Sequence, residues 1–151
     1  MRLSKECRHA LMILACLARE PRGRIMASAD LARLLAIPRP FLSKILQRLS
    51  AEGFVIGHRG AVRGYALARP GDEISARDVA LAIDGADLFS RCVFWSDRCS
   101  DAKPCPLHAQ WARTRPQIED DLAALTVEQI GSVSPKPRKH TERRERGRRR
   151  S

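Results

Sequence analysis

The sequence predicts a mostly α-helical chain with one small β-hairpin and a long C-terminal helix. Three observations predict it. Apolar side chains recur at helical spacing in several stretches before residue 85. One stretch among them switches to short β-type runs around glycines, and a long helical pattern resumes at Pro106 after a cysteine-rich interruption. With 151 residues and 44% hydrophobic side chains, the chain can bury one core of ordinary domain size. Only seven aromatics are available (four Phe, two Trp and one Tyr), so that core has to be aliphatic.

In the first helix, Leu3, Cys7, Ala10, Leu11, Leu14 and Leu17 form the inward stripe, and Arg8 and Arg19 lie off it. The run Ile13-Leu14-Ala15-Cys16 has the look of a lipoprotein cleavage site, but amphipathic spacing belongs to a folded domain rather than to an export signal. No run reaches the roughly 18 apolar residues of a membrane span. A cytoplasmic protein that does not enter the membrane is therefore expected. Pro21-Arg22-Gly23 makes a turn, and Ser28 is placed to cap a short helix over 29–36 with Leu31, Leu34 and Leu35 inward. A third helix opens at Pro40, runs to Glu52 and stops at Gly53, with Leu42, Ile45, Leu46 and Leu49 as its apolar face. Runs 54–58 and 64–68, joined by a loop of Gly and Arg, read as the hairpin. A fourth helix, capped by Ser75, spans 76–84 with Val79, Ala80 and Ile83 inward and ends at Gly85.

Helix, short helix, helix, hairpin is the order of a winged helix-turn-helix, here residues 1–84. In that fold the third helix enters the major groove and the hairpin reaches the flanking backbone or the minor groove. The candidate DNA-contacting residues are Arg39, Ser43, Lys44, Gln47 and Arg48 on the third helix, and His58, Arg59, Arg63 and Tyr65 on the wing. Charge agrees with this. The formal net charge is +11, and residues 136–150 alone hold nine Lys/Arg against two Glu. Nucleic acid is thus the leading partner, ahead of an anionic membrane surface. The tail, 134–151, is built of Pro, Lys, Arg and Glu; it cannot bury a core and is expected to be disordered.

Residues 85–105 form a loop that holds three of the five cysteines, spaced Cys92-x6-Cys99-x5-Cys105, with His108 three residues further on. An odd cysteine count in a reducing compartment points to metal or redox chemistry. Zinc sites use close ligand pairs, and only Cys105/His108 is close. Three thiolates spread along a loop suit an iron-sulfur cluster, whose larger body takes ligands farther apart. Zinc and a thiol-disulfide sensor are the alternatives. Cys7 and Cys16 read as small buried hydrophobes of the first helix.

Residues 106–133 form the last ordered segment. Leu107, Trp111, Thr114, Ile118, Leu122 and Leu125 make one stripe, Pro116 is expected to kink or split the helix, and TVEQIGSV adds a short final turn. A second copy of the chain is the economical cover for this dimerisation stripe. The two-fold homodimer would set two recognition helices roughly 34 Å apart on a palindromic operator in double-stranded DNA. Packing of the stripe on its own domain is the alternative. The sequence has no nucleophile–base pair, phosphate-cradling glycine loop or hydrolytic zinc motif, so no enzyme is expected. An electron-transfer protein would have little use for the winged helix, and a basic RNA-binding or structural protein little use for the cysteines.

The segments MRLSKECRHALMILACLA, FLSKILQRLSAEGFVIGHRG, GYALARP, the three-cysteine loop and PLHAQW together resemble the Rrf-two family of bacterial transcription regulators. That family includes the iron-sulfur regulator IscR and the nitric-oxide sensor NsrR. The similarity runs from Met1 to about Ser132 and leaves the tail outside. It implies a dimeric winged-helix regulator, typically a repressor, whose cluster on Cys92, Cys99 and Cys105 reports iron or cluster supply, oxidants or nitric oxide. NsrR-type members recruit a carboxylate near position 8 of the partner subunit as fourth ligand, and this chain has Arg8 there, which cannot coordinate iron. His108 matches the histidine that IscR-type members use three residues after the last cysteine. Three thiolates and one imidazole resemble a 2Fe-2S site rather than 4Fe-4S, with Glu6, Cys7 and His9 as local substitutes for the fourth ligand. Neutral imidazole in place of a thiolate raises the reduction potential. In the wing, family members often carry a Gly pair before the aromatic. Here Arg63-Gly64-Tyr65 adds charge and gives up one glycine's freedom at positive φ.

Overall fold

The computed structural model describes residues 2–94 and 98–133. The basic tail, with its expected disorder, lies outside the described residues.

Helix α1 (Lys5–Ala18) starts where Ser4 accepts the Cys7 N–H on its hydroxyl at 3.0 Å. The Ser4 N–H donates in turn to Asp84 at 2.8 Å, fixing the helix start to a residue 80 positions away. Helices α2 (Ser28–Leu35) and α3 (Arg39–Ala51) follow as the helix-turn-helix. The expected Ser28 cap is not made. Ala27 occupies the cap position, no side chain caps α2, and Ser28 is already helical. A short helix that buries Leu31 and Ala32 is held by packing rather than by its cap. It ends on Ala36 in the left-handed region (φ 53°), a position that favours glycine, because the chain must turn sharply to bury Ile37 before α3. The α3 boundaries agree with the sequence reading to within a residue, and Gly53 follows it at φ 76°.

The hairpin joins β1 (Val55–His58) to β2 (Gly64–Leu67), antiparallel, with Val55 opposite Leu67 and His58 opposite Gly64. Met26 adds one further rung. Its N–H and C=O both bond to Tyr65 at 2.9 Å, so the wing is stitched to the start of the helix-turn-helix. That close approach requires glycine at 64, since a Cβ there would stand 2.2 Å from the Met26 carbonyl oxygen. Arg63 does not need glycine's freedom: Ala36 is the one non-glycine at positive φ among the described residues.

Helix α4 (Ala76–Asp84) follows the sequence reading residue for residue, with Ser75 accepting the Asp78 N–H at 3.0 Å. Helix α5 (His108–Ala124) is continuous through Pro116. The expected split does not occur, because Pro116 and Ala112, whose carbonyl loses its helical partner, are both exposed and water can take the orphan acceptor. Helix α6 (Val127–Val133) is more than an appended turn. The stretch at its start pairs antiparallel with the stretch at the start of α4, Thr126 opposite Ser75 (Ala76 N–H to Leu125 C=O, 2.8 Å; Val127 N–H to Ile74 C=O, 2.9 Å). It then lies against α1 so closely that a Cβ on Gly131 would meet the Ala15 carbonyl at 2.7 Å.

Ile13 and Leu14 of α1, Leu31 of α2, Leu42, Ile45, Leu46 and Leu49 of α3, Val79 of α4 and Val127 of α6 are fully buried together. Each such side chain contributes about 1.5–3 kcal/mol relative to its exposed state. Among the described residues, Phe54 and Phe89 are the buried aromatics of this core, which is otherwise aliphatic as the composition requires.

Candidate functional site

Two sites emerge. The first is an open groove of about 580 Å³ between the start of α2, the outer face of α3 and the wing. Six of the nine predicted DNA-contacting residues line it: Arg39, Gln47, His58, Arg59, Arg63 and Tyr65. Ser43 and Lys44 are exposed on α3 outside the groove wall. Arg48 does not line the groove. Its guanidinium donates to Glu6 at 3.3 Å and to the Ala82 carbonyl at 3.1 Å, so it braces α3 against α1 and α4 instead of facing the groove. Sequence reasoning placed it by distance from the apolar stripe alone, and no local signal reveals a partner 42 residues away. It also missed Ser28, which lines the groove because it is not spent on a cap.

The second site is the cysteine loop. Arg91 bridges Arg98 in a two-residue antiparallel contact, and the Cys99 N–H donates to the Ser90 carbonyl at 2.9 Å. This closes the loop and brings Cys92 and Cys99, seven positions apart in sequence, to its two sides. The Asp87 carboxylate grips Arg91 through two hydrogen bonds of 3.0 Å. That hydrogen-bonded pairing holds Asp87 below the usual carboxylate range. A turn then places Cys105 three residues before the start of α5, with the His108 N–H bonded to the Cys105 carbonyl at 2.9 Å.

All four residues predicted as ligands line one cavity of about 370 Å³. Cys92 Sγ stands 4.0 Å from Cys105 Sγ, and Cys99 Sγ stands 3.1 Å from His108 Nδ1. On the far side of the ring, His108 Nε2 lies 2.7 Å from Asp101 Oδ1. The donors form two pairs. Among the described residues, no group of three His, Cys, Asp or Glu surrounds a single ion position. Arg98 and Lys103 line the same cavity and favour an anionic occupant. The other cysteines differ in kind: burial, followed by the neighbouring Asp84, pushes the Cys7 thiol up to about 12, and burial also raises Cys16. Glu6 is engaged by Arg48, and His9 stacks edge-on against Phe41 at 5.4 Å.

Contacts tie α5 both to the cysteine loop and to the winged unit. Trp111 Nε1 donates to the Arg91 carbonyl at 3.3 Å, Leu122 packs on the edge of the core, and Arg77 of α4 donates from Nε to Glu119 of α5 at 2.8 Å. Ile118 is half-buried, and Leu107 and Leu125, at the two ends of α5, are each 36% exposed. No residue of α5 is buried.

A helix-turn-helix with a stitched wing, followed by a thiol-lined cavity at the foot of a trailing helix, defines the class of winged-helix transcriptional regulators. The chain belongs to the Rrf2 family, described as iron-dependent transcriptional regulators, whose sequence profile matches residues 3–132. It is 31% identical to an HTH-type transcriptional regulator of Aquifex aeolicus over 90% of this chain and 95% of that protein. It is 26% identical to the HTH-type transcriptional regulator IscR of Photorhabdus laumondii over 86% of this chain and 79% of IscR. Among solved structures it is similar to CymR, the global cysteine regulator of B. subtilis. That similarity has a TM-score of 0.73 and 25% identity, over 89% of this chain and 99% of CymR. Among the described residues no helix is long and apolar enough to cross a membrane.

Proposed function

We propose that the chain is a homodimeric cytoplasmic repressor whose operator binding is set by a 2Fe-2S cluster held by Cys92, Cys99, Cys105 and His108. The observation that carries this reading is the arrangement of the four donors as two pairs around one cavity. Two ligands about 2.3 Å from a tetrahedral metal stand roughly 3.8 Å apart, close to the 4.0 Å between Cys92 Sγ and Cys105 Sγ. The second pair, Cys99 Sγ and His108 Nδ1, stands closer at 3.1 Å, and two separate donor pairs suit a body with two metal centres better than a single zinc ion. When bound, the cluster supplies reversible one-electron chemistry and lability toward oxidants or nitric oxide.

The chain's own residues convert that occupancy into DNA affinity. His108 is the first residue of α5, and Cys92 and Cys99 sit on the loop before it, so joining them fixes the loop to the helix start. The Arg77–Glu119 pair carries the position of α5 to α4, and Arg48 ties α4 and α1 to α3. Leu107, Trp111, Ile118, Leu122 and Leu125 offer the face a second copy covers, which sets the spacing of two α3 helices on a palindrome. In the groove, Gln47 and Arg39 are the base readers, with Ser43 and Lys44 beside them. Arg59, Arg63, His58 and Tyr65 hold the backbone. The tail adds sequence-independent attraction to DNA.

The test compares operator affinity of anaerobically reconstituted and cluster-free protein by fluorescence anisotropy. The two should differ by about 5- to 150-fold, the usual span of a coupling free energy. Equal affinities reject cluster control. A second reading is favoured by one distance, the 4.0 Å between Cys92 and Cys105, and by the similarity to CymR. In it, peroxide takes two electrons and two protons from these thiols, forms a disulfide, and switches a cluster-free regulator. Mass spectrometry of peroxide-treated protein without reductant distinguishes the two.

A further inference from the structure

The geometry points to Asp101 as a positioning residue that makes His108 ligate through Nδ1, on the same iron as Cys99, while Cys92 and Cys105 hold the other iron. This rests on the cluster reading above and specifies how that site is built. The Asp101 carboxylate has no proton to give, so at 2.7 Å the proton between the two groups belongs to His108 Nε2, which donates to Oδ1. In a neutral imidazole this leaves the ligating lone pair on Nδ1. Nδ1 faces Cys99 Sγ at 3.1 Å, so the two donors already share one target. Asp101 itself is set by a local turn, in which the Ala102 N–H donates to the Ser100 hydroxyl at 3.1 Å. Its side chain is otherwise fully exposed, whereas that of His108 is 16% exposed.

The assignment makes the two irons unequal: one has two thiolates, the other a thiolate and an imidazole. With a neutral imidazole among its ligands, a cluster held there would have a higher reduction potential than an all-thiolate one. A carboxylate accepting from the far N–H raises the basicity of the ligand and fixes the ring. Asp101→Ala should therefore raise the reduction potential and shorten the lifetime of the cluster in air, with Asp101→Asn, which keeps an acceptor oxygen, in between. Because Asp101 is exposed, neither change should disturb folding.

The decisive comparison is made in two backgrounds, by dye-coupled redox titration of reconstituted protein. Asp101→Ala should shift the potential when residue 108 is histidine and leave it unmoved in His108→Cys, where there is no N–H to hold. A shift of equal size in both, or none in either, overturns the inference. Pulsed EPR of dithionite-reduced protein carrying [15N]δ1-histidine should show the strongly coupled nitrogen at Nδ1, and strong coupling at Nε2 overturns it. If the wild type forms no cluster, the cluster reading falls by itself. The nitrogen NMR shifts of His108 in the metal-free chain then decide the Asp101 contact: an Nε2–H tautomer lost in Asp101→Ala supports it, and an Nδ1–H tautomer in the wild type refutes it.

Discussion

The winged unit and the cysteine loop with α5 are built on opposite terms. In the first, α1 and α3 bury whole faces and share one aliphatic core with α2, α4 and α6. In the second, α5 buries no residue, and the loop before it enters the core only near its start, through Leu88 and Phe89; beyond them separately nameable polar contacts hold the loop and α5, Cys99 to Ser90, Trp111 to Arg91 and Arg77 to Glu119. Burial on the first scale is indifferent to ligands. Order that depends on a few polar bonds responds to whatever binds beside them. The division leaves the order that no ligand is needed for in the core, and the order open to bound groups at the foot of α5.

The sharpest contrast should be chemical. The Cys7 thiol, pushed from 9.0 up to about 12, carries about a thousandfold less thiolate than an ordinary cysteine, and burial hinders it further. In metal-free native protein, iodoacetamide should modify Cys92, Cys99 and Cys105 well before Cys16 and Cys7, read by peptide mass spectrometry over time. Early labelling of Cys7 would place it outside the core.

Stability should divide along the same line. Leu46→Ala should cost about 2–5 kcal/mol in urea unfolding, whereas Ile118→Ala should cost less than about 1 kcal/mol and instead shift sedimentation toward monomer. Equal losses of stability would erase the distinction. Within α3 the same logic separates neighbours. Gln47→Ala should lose about 1–3 kcal/mol of operator binding and relax preference at one base position. Arg48→Ala should cost about 1–3 kcal/mol of fold stability and leave sequence preference unchanged in competition with operator variants.

The smallest effect belongs to pH. His9 Nδ1 is buried without a partner, and burial, then Lys5 and Arg8, hold the ring below its usual 6.5. The unfolded chain therefore binds this proton more readily than the folded one, and stability declines as pH falls below about 6.5 until the folded group also titrates. His9→Gln should flatten that part of the stability–pH curve measured by urea unfolding.

Much of the winged unit was legible because its signals are local. The Leu42, Ile45, Leu46, Leu49 spacing, the Ser75 cap and the Gly53 and Gly85 stops each act within one or two turns. The misreadings arose where a distant partner decides. Ser28 precedes an apolar run and so resembles a cap, but the wing contact at Met26 fixes the entry to α2 and moves its start. Arg48 sits at a polar position of α3, yet Glu6 and the Ala82 carbonyl claim it. Residues 126–133 carry few charges and little periodicity, and their place on α1 depends on Gly131 meeting the Ala15 carbonyl. At the candidate metal centre the residue types were legible and their pairing was not, because Cys92 reaches Cys105 only after the Arg91–Arg98 contact closes the loop. Asp101 gave no sign in the sequence, since one carboxylate in a charged loop is unremarkable until a ring nitrogen stands beside it.

In the proposed centre, Cys92, Cys99, Cys105 and His108 would hold two irons as two pairs. Counting iron and acid-labile sulfide per chain in anaerobically reconstituted protein, beside its visible spectrum, tests it most directly. About two irons and two sulfides are expected, with a coloured spectrum that Cys92→Ala, Cys99→Ala and Cys105→Ala each abolish and His108→Cys retains. A colourless chain, or one that binds a single zinc without sulfide, would contradict it.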